Sequence, residues 1–356
     1  MKKLEKLREY MKGAGVDAAL IYDDLNRHYL SDFAFSDGLL LITLDKAYLI
    51  TDFRYYEMAL KSANPEFEVV MPESKNEFIR KVLSDCSCKT LGFEGASLSY
   101  QVYTSYKSAF DSAELVDIKD TVEVIRQIKN DDEIAKMQKA QDIADGALAY
   151  VLANITPNMT ELDVAVELEY RMRKGGADGI SFDTIAVSGD ASALPHGTPR
   201  NVKLKKGFLT LDFGAKCDGY CSDMTRTVVI GKADEEMKKL YNTVLKAQTE
   251  ALAYLTEGAD AGEADKIARD IIDAVPEYKG AFGHSLGHSV GLFIHEAPRV
   301  SARSFGRKLR AGEIVTVEPG IYLFGKYGCR IEDMVKIEKN GIYNFTHSPK
   351  ELIEIL

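Results

Sequence analysis

Between Asp131 and Glu338 one pattern occurs twice: two helical stretches, then a long β-rich segment. The spacing predicts helices over residues 131–153 and 161–174, the second capped by Thr160, before β-rich sequence over 182–230. It predicts two more over 234–255 and 262–274, before β-rich sequence over 282–338. A helix pair cannot bury its apolar stripes alone, so each must cover strands. The repetition therefore predicts duplicated halves closing round a shared sheet. No clear residue-level identity links the halves, so the symmetry is an expectation about architecture only.

Upstream, short strands and helices alternate. Leu4, Leu7 and Met11 recur at helical spacing, and Ala18-Ala19-Leu20-Ile21-Tyr22 reads as a strand. Residues 39–44 and 47–51 read as a hairpin turning at Asp45-Lys46. Further helices are predicted near 53–63, 76–84 and 100–110, and strands near 67–71, 90–93 and 114–117. A chain of 356 residues exceeds what one core usually serves, so two domains are expected. We place a small α/β domain over residues 1–122 and a larger one over 123–356. The junction, 121–130, has no Gly or Pro and is expected to be stiff. The class is α+β.

The formal charge is 45 − 55 = −10 with no basic run, which argues against a nucleic-acid or anionic-membrane partner. The aliphatic runs are far too short for a membrane span, and the N-terminus lacks the apolar core of a signal peptide. Five cysteines, an odd number in a long chain, suit a reducing compartment. The expectation is a cytoplasmic protein.

The candidates for chemistry are acids at strand ends. Asp212 closes the apolar run Phe208-Leu209-Thr210-Leu211, where a charge is costly unless compensated. Asp218-Gly219 is a strong hairpin signal. A hairpin centred there pairs Cys217 with Tyr220 and Gly214 with Asp223, leaving Asp212 and Asp223 diagonal neighbours about 7–8 Å apart at the backbone. Glu318 ends the strand Ile314-Val315-Thr316-Val317, where Pro319-Gly320 stops the ladder. Glu332 lies in Arg330-Ile331-Glu332-Asp333-Met334-Val335, read as one strand with Arg330 on its face. Each acid alone could be an ordinary surface or strand-end charge.

Of six histidines, His284, His288 and His295 fall in one short stretch. Gly283, Gly287 and Gly291 argue against a helix there; in an extended segment His284 and His288 still point the same way. Four carboxylates in one pocket repel strongly, and two divalent ions cancel their charge. Oxygen-rich coordination with one imidazole suits manganese, with cobalt, zinc or iron as alternatives. A pair of such ions can polarise a carbonyl and activate water.

The blocks Asp212-Phe213-Gly214, Tyr220-Cys221-Ser222-Asp223-Met224-Thr225-Arg226-Thr227, Gly287-His288-Ser289-Val290-Gly291-Leu292, Ile294-His295-Glu296, Val317-Glu318-Pro319-Gly320 and Arg330-Ile331-Glu332-Asp333 closely resemble the Xaa-Pro peptidases, prolidase and aminopeptidase P. The resemblance runs from about Asn130 to the end. Asn26-Arg27-His28-Tyr29-Leu30 more loosely resembles the creatinase-like N-terminal domain of the same group. It implies a pita-bread catalytic domain with pseudo-twofold halves, and a dinuclear site held by Asp212, Asp223, His288, Glu318 and Glu332. In that arrangement Asp223 binds one metal through both oxygens and Asp212 and Glu332 bridge, while His288 and Glu318 complete the coordination of the second metal. The resemblance further implies that Glu318 relays a proton, His196 binds substrate, and His295 lies near the scissile bond. It puts His284 at a pocket position and has Arg330 orient the bridging glutamate. It also implies short proline-containing peptides as substrates and a homodimer. Ser289 departs from the glycine of many relatives.

Two other readings compete with this one. Gly283-His284-Ser285-Leu286-Gly287 matches the nucleophile elbow of serine hydrolases, with Ser285 as nucleophile, but that motif needs a strand before it and a helix after it. A partner-binding protein on the same scaffold would bind no metal and turn nothing over. Dipeptidase and aminopeptidase specificity stay unseparated at this level.

Overall fold

A computed structural model describes residues 2–356. The chain divides into two compact units, Met1–Arg126 and Gln127–Leu356. Between the first unit's last strand and that division, the segment expected to be a stiff link is helical over Thr121–Arg126.

The first unit is built on a six-stranded mixed sheet. Its order is Glu68–Val70, Ala47–Thr51, Gly38–Thr43, Ala18–Ile21, Thr90–Phe93 and Glu114–Asp117. The hairpin Gly38–Thr43/Ala47–Thr51 turns where expected, with Ile42 opposite Ala47. Ala18–Ile21 is buried at every residue, as a central strand covered on both faces requires. The helix Asp24–Ser31, unmarked by any apolar period, starts at an Asp23 cap that accepts from Leu25 and Asn26 N–H.

The second unit shows the duplication. Helices Asp131–Asn154 and Glu161–Lys174 cover one core, containing Leu148, Leu168, Leu209 and Phe213. Helices Glu235–Tyr254 and Ala261–Asp273 cover another, containing Leu240, Ile272, Val315 and Ile337. The halves repeat one clasp. Thr160, the cap of the first half's second helix, bridges to Lys203; Asp260, the matching cap, bridges to Lys308. Glu161 N–H donates to Val202 O at 3.1 Å and Ala261 N–H to Arg307 O at 2.9 Å. Leu204 N–H returns to Met159 O and Leu309 N–H to Ala259 O, both at 2.9 Å. The symmetry thus resides in backbone hydrogen bonds, which leave little trace in residue identity.

The expected shared sheet is instead divided into short ladders. Glu354–Ile355, Met224–Ile230, Gly207–Phe213 and Ile185–Ser188 form one sheet, and Ile314–Val317, Asp333–Glu338 and Gly341–Asn344 another. The breaks fall where functional side chains leave the strands, as described below. Among the described residues no helix is long and apolar enough to cross a membrane, and all five cysteines are free thiols.

Candidate metal centre

The first two acids are placed by strand register. Asp218 and Gly219 both take positive φ, 49° and 81°, which is the twist a two-residue hairpin needs. Cys217 pairs with Tyr220 and Lys216 with Cys221. The same register continues below, where Asp212 stands opposite Thr225. Asp223 lies two residues before Thr225 and therefore shares the face of Asp212. A Cβ on Gly214 would overlap the Ser222 carbonyl, so only glycine lets the two backbones approach this closely.

The second half brings the rest. Ile314–Val317 ends at Glu318, whose N–H donates to Leu286 O at 2.8 Å. His288 sits in the short strand Gly287–Ser289 opposite Arg299, with a register shift between His288 and Ser289. Its N–H donates to Thr316 Oγ1 at 3.1 Å. No helix forms around Gly283, Gly287 and Gly291, in keeping with the sequence. Arg330 to Val335 is not one strand, however: Tyr327–Arg330 and Asp333–Glu338 belong to different sheets. The ladder breaks because Glu332 N–H crosses to the first half, donating to Thr225 O at 3.1 Å. Buried Arg226 fixes the crossing, donating to Glu332 O at 2.5 Å and Asp333 Oδ1 at 2.8 Å.

Asp212, Asp223, His288, Glu318, Glu332, His196, His284, His295 and Arg330 all line one cavity of about 800 Å³. Asp223, His288 and Glu332 come closest together, each offering an atom within 4.8 Å of the others. His288 Nε2 lies 3.5 Å from Asp223 Oδ2 and 3.5 Å from Glu318 Oε1. Asp212 is ion-paired to Arg330, while its Oδ1 is buried without a hydrogen-bond partner. His284 Nδ1 is 3.9 Å from Glu318 Oε2. His196 and His295 are exposed on the cavity wall.

The electrostatics are those of a cage without its counter-charge. Burial, then repulsion from Glu332, Asp212 and Glu318, pushes the Asp223 carboxyl well above the usual range. Burial and then Glu318 and Asp212 do the same to Glu332. Burial raises Glu318 to about 8, against the opposing pull of Arg330. Burial, then the neighbouring His295, lowers His288 to about 3, so its ring is neutral. Its Nδ1 lies 3.2 Å from Ser289 O and must donate there, because a carbonyl can only accept. That leaves the Nε2 lone pair aimed at two carboxylate oxygens. A neutral imidazole lone pair facing two acids that burial holds towards their protonated forms, beside an orphaned Asp212 oxygen, is a cluster whose acids can all ionise only with a cation among them. The donor set, carboxylates plus one neutral imidazole, therefore fits divalent ions of the manganese, cobalt, iron and zinc kind.

Arg330 organises the first half's side of the cage. Besides Asp212 it donates to Thr225 Oγ1 at 3.0 Å, to Tyr322 Oη at 2.6 Å and to Pro195 O at 3.3 Å. Thr225 in turn donates to Glu332 Oε2 at 2.7 Å. Tyr322, whose hydroxyl burial raises to about 12, is 2.9 Å from His284 Nε2. His284 Nδ1 faces Ser285 O at 2.9 Å, so Tyr322 donates to His284 and the proton order of the chain is fixed. Burial, then Arg330, lowers His284 to about 4 and keeps it neutral. Thr225 and Tyr322 were not singled out from sequence. Thr225 alternates with Asp223, a signal that could have found it; Tyr322 carries no local sign. Arg299, also passed over, is paired through its strand with His288 and lines the cavity, and among the described residues its guanidinium has no hydrogen-bond or ion-pair partner. Ser285 reaches the cavity too, but the strand Gly287–Ser289 follows it rather than a helix, so there is no nucleophile elbow.

With this geometry in view, residues 135–339 match the metallopeptidase family M24 and residues 3–128 the creatinase/prolidase N-terminal domain. The chain belongs to metallopeptidase family M24. An uncharacterised peptidase of Bacillus subtilis is 44% identical over 99% of this chain and 99% of its own. The structure of the Xaa-Pro dipeptidase from Bacillus anthracis superposes with a TM-score of 0.94, at 42% identity and 99% coverage of both chains. That of the X-Pro aminopeptidase from Thermotoga maritima gives 0.91, at 36% identity and 100% coverage of both. The M24 chain described here is therefore a metallopeptidase on the pita-bread fold, preceded by a creatinase-type N-terminal domain, and it works with divalent metal.

Proposed function

We propose that this peptidase hydrolyses the bond preceding proline in short peptides, with two divalent cations held by Asp212, Asp223, His288, Glu318 and Glu332. The observation that carries the reading is the His288 Nε2 lone pair facing carboxylates at 3.5 Å in a cavity that also holds a partnerless Asp212 oxygen. The named specificities of the Bacillus anthracis and Thermotoga maritima relatives support the choice of proline.

Cations bound there supply Lewis acidity, polarising the scissile carbonyl and acidifying water. The chain's own groups do the rest. Glu318 takes the proton of the attacking water and passes it to the departing proline nitrogen. His196 donates a hydrogen bond as charge develops on the carbonyl oxygen, and His295 packs beside the scissile bond. Arg330, through Asp212 and Thr225, keeps both carboxylate arms from rotating. A bond to proline has no amide hydrogen, so the site need not satisfy a donor there. Arg299 is an unpaired cation on the cavity wall and suits the free carboxylate of a dipeptide, favouring dipeptidase over aminopeptidase action.

The test offers Ala-Pro, Ala-Pro-Ala and Ala-Ala-Ala to manganese-reconstituted enzyme. Ala-Pro should be cut fastest and Ala-Ala-Ala not at all. Asp223→Asn should abolish cleavage while preserving the circular dichroism spectrum. Turnover that survives exhaustive chelation, or full activity in that variant, would end the metal reading. Equal rates on all three peptides would end the proline reading.

A further inference from the structure

Behind the cavity wall lies a charged contact that the proposed chemistry does not use. The Lys129 side chain is only 1% exposed, and its Nζ donates to Glu296 Oε2 at 3.2 Å and to Ser289 Oγ at 3.3 Å. A buried ammonium costs several kilocalories in desolvation, and a buried pair frequently adds nothing to net stability. What such a pair can supply is a fixed geometry.

Glu296 is tied closely to the backbone around it. Its Oε1 accepts from Phe293 N–H at 3.1 Å. A Cβ on Gly291 would press into the carboxylate, so this backbone is packed directly against the acid. Across the strand pair, Glu296 stands opposite Ser289, just beyond the register shift at His288. The loop 290–295 is therefore wrapped round one carboxylate whose charge Lys129 balances.

That loop touches two groups of the cage, His288 and Asp223, and one of the cavity wall, His295. It begins one residue after Ser289, next to His288. It ends at His295, whose ring centroid is 4.5 Å from that of His288. In between, Gly291 O accepts from Cys221 N–H at 2.8 Å, two residues ahead of Asp223. Lys129, Ser289 and Glu296 do not themselves line the cavity.

We propose that the buried Lys129–Glu296 pair is a positioning device that sets the spacing of His288, His295 and Asp223, and thereby the affinity of the cation site. The proposal rests on the metal reading above. Supporting groups of this kind commonly change metal affinity by about 10–100-fold when removed.

The experiment is calorimetric titration of the metal-stripped full chain with Mn2+, together with the visible spectrum of the Co2+ form. Lys129→Met and Glu296→Gln should weaken Mn2+ binding about tenfold or more and alter the Co2+ bands. Lys129→Arg should restore most of the affinity. Glu313→Gln is the control: that acid is as deeply buried, and its ion pairs run to Arg307 and Arg310, outside the loop. It should lower the melting temperature while leaving Mn2+ affinity and the Co2+ spectrum unchanged. Lys129→Met and Glu296→Gln variants that melt earlier yet bind Mn2+ like wild type would reduce the pair to ordinary packing and overturn the proposal. Should Lys129→Met not fold, the isosteric Glu296→Gln decides by the same criterion. Wild-type protein that takes up no Mn2+ would instead overturn the metal reading, and this inference with it.

Discussion

Replacing Glu318 by glutamine should make the metal-stripped protein more stable, and only at neutral to alkaline pH. In the folded chain burial lifts the Glu318 carboxyl from 4.5 to about 8. Between those values the folded state holds a proton that the unfolded chain has released, so stability falls as pH rises. Below the lower value both states are protonated and the penalty vanishes; above the upper value it is fully expressed. At 1.36 kcal/mol per unit the full penalty is on the order of 5 kcal/mol, with about 1 kcal/mol present at pH 5 and about 4 at pH 8. These are ceilings, because removing one charge lets Asp223 and Glu332 ionise more readily. Glutamine keeps an acceptor for Thr316 Oγ1, 3.4 Å from Glu318 Oε1, and carries no charge to desolvate. For a unit of this size about 1 kcal/mol moves the melting temperature by roughly 2–4 °C, so the variant should gain on the order of 10 °C at pH 8 and only roughly 2–4 °C at pH 5. Differential scanning calorimetry of chelator-dialysed protein at both pH values measures this. With Mn2+ at a hundredfold excess over Kd, wild type regains about 2.7 kcal/mol per site and the advantage of the variant should shrink or invert. Melting curves of wild type and variant that shift in parallel between pH 5 and pH 8 would refute the account of Glu318 as an acid whose burial costs stability once it ionises.

Two further outcomes follow from geometry away from the carboxylates. Gly287→Ala would drive a Cβ into the Thr316 carbonyl and part the strand bearing His288 from Ile314–Val317, costing about 1–3 kcal/mol or more by urea unfolding. Glu161→Gln weakens a buried clamp in which the acid accepts from Arg200 Nε at 2.8 Å and Ser188 N–H at 2.8 Å. Because Arg200 closes the segment that carries His196, kcat/KM on Ala-Pro should fall several-fold with Mn2+ affinity unchanged; a matching loss of metal would contradict this.

Much of the site was legible because its signals are local. Asp212 at the end of an apolar run and Glu318 before Pro319-Gly320 stand out as charges where burial makes charge expensive. Asp218-Gly219 set the hairpin register that brings Asp223 beside Asp212. The glycines at 283, 287 and 291 ruled out a helix correctly. What stayed hidden depends on contacts between remote segments. Thr225 earns its role only by standing opposite Asp212 and touching both Arg330 and Glu332. Tyr322 acquires a proton-holding role only because Arg330 and His284 close on its hydroxyl. The break between Arg330 and Asp333 could not be read from an alternating pattern, since it is caused by Glu332 bonding to a strand more than a hundred positions earlier. In the first unit, the helix Asp24–Ser31 turns Asn26 and Arg27 inward, so polarity there misled a pattern that equates burial with apolar residues. The duplicated architecture was visible as an order of elements, while its proof, the paired clasps at Lys203 and Lys308, is written in backbone atoms.

Asp212 and Asp223 come from one of those clasped halves; His288, Glu318 and Glu332 come from the other. Breathing along the seam between them would therefore pull the cage apart, and with it the core in which Phe208 and Val229 of the first half pack against Leu240 and Val315 of the second. Hydrolytic competence becomes a gauge of how firmly the two halves stay shut. A molecule that wedged the seam open slightly could silence the enzyme without ever entering the cavity.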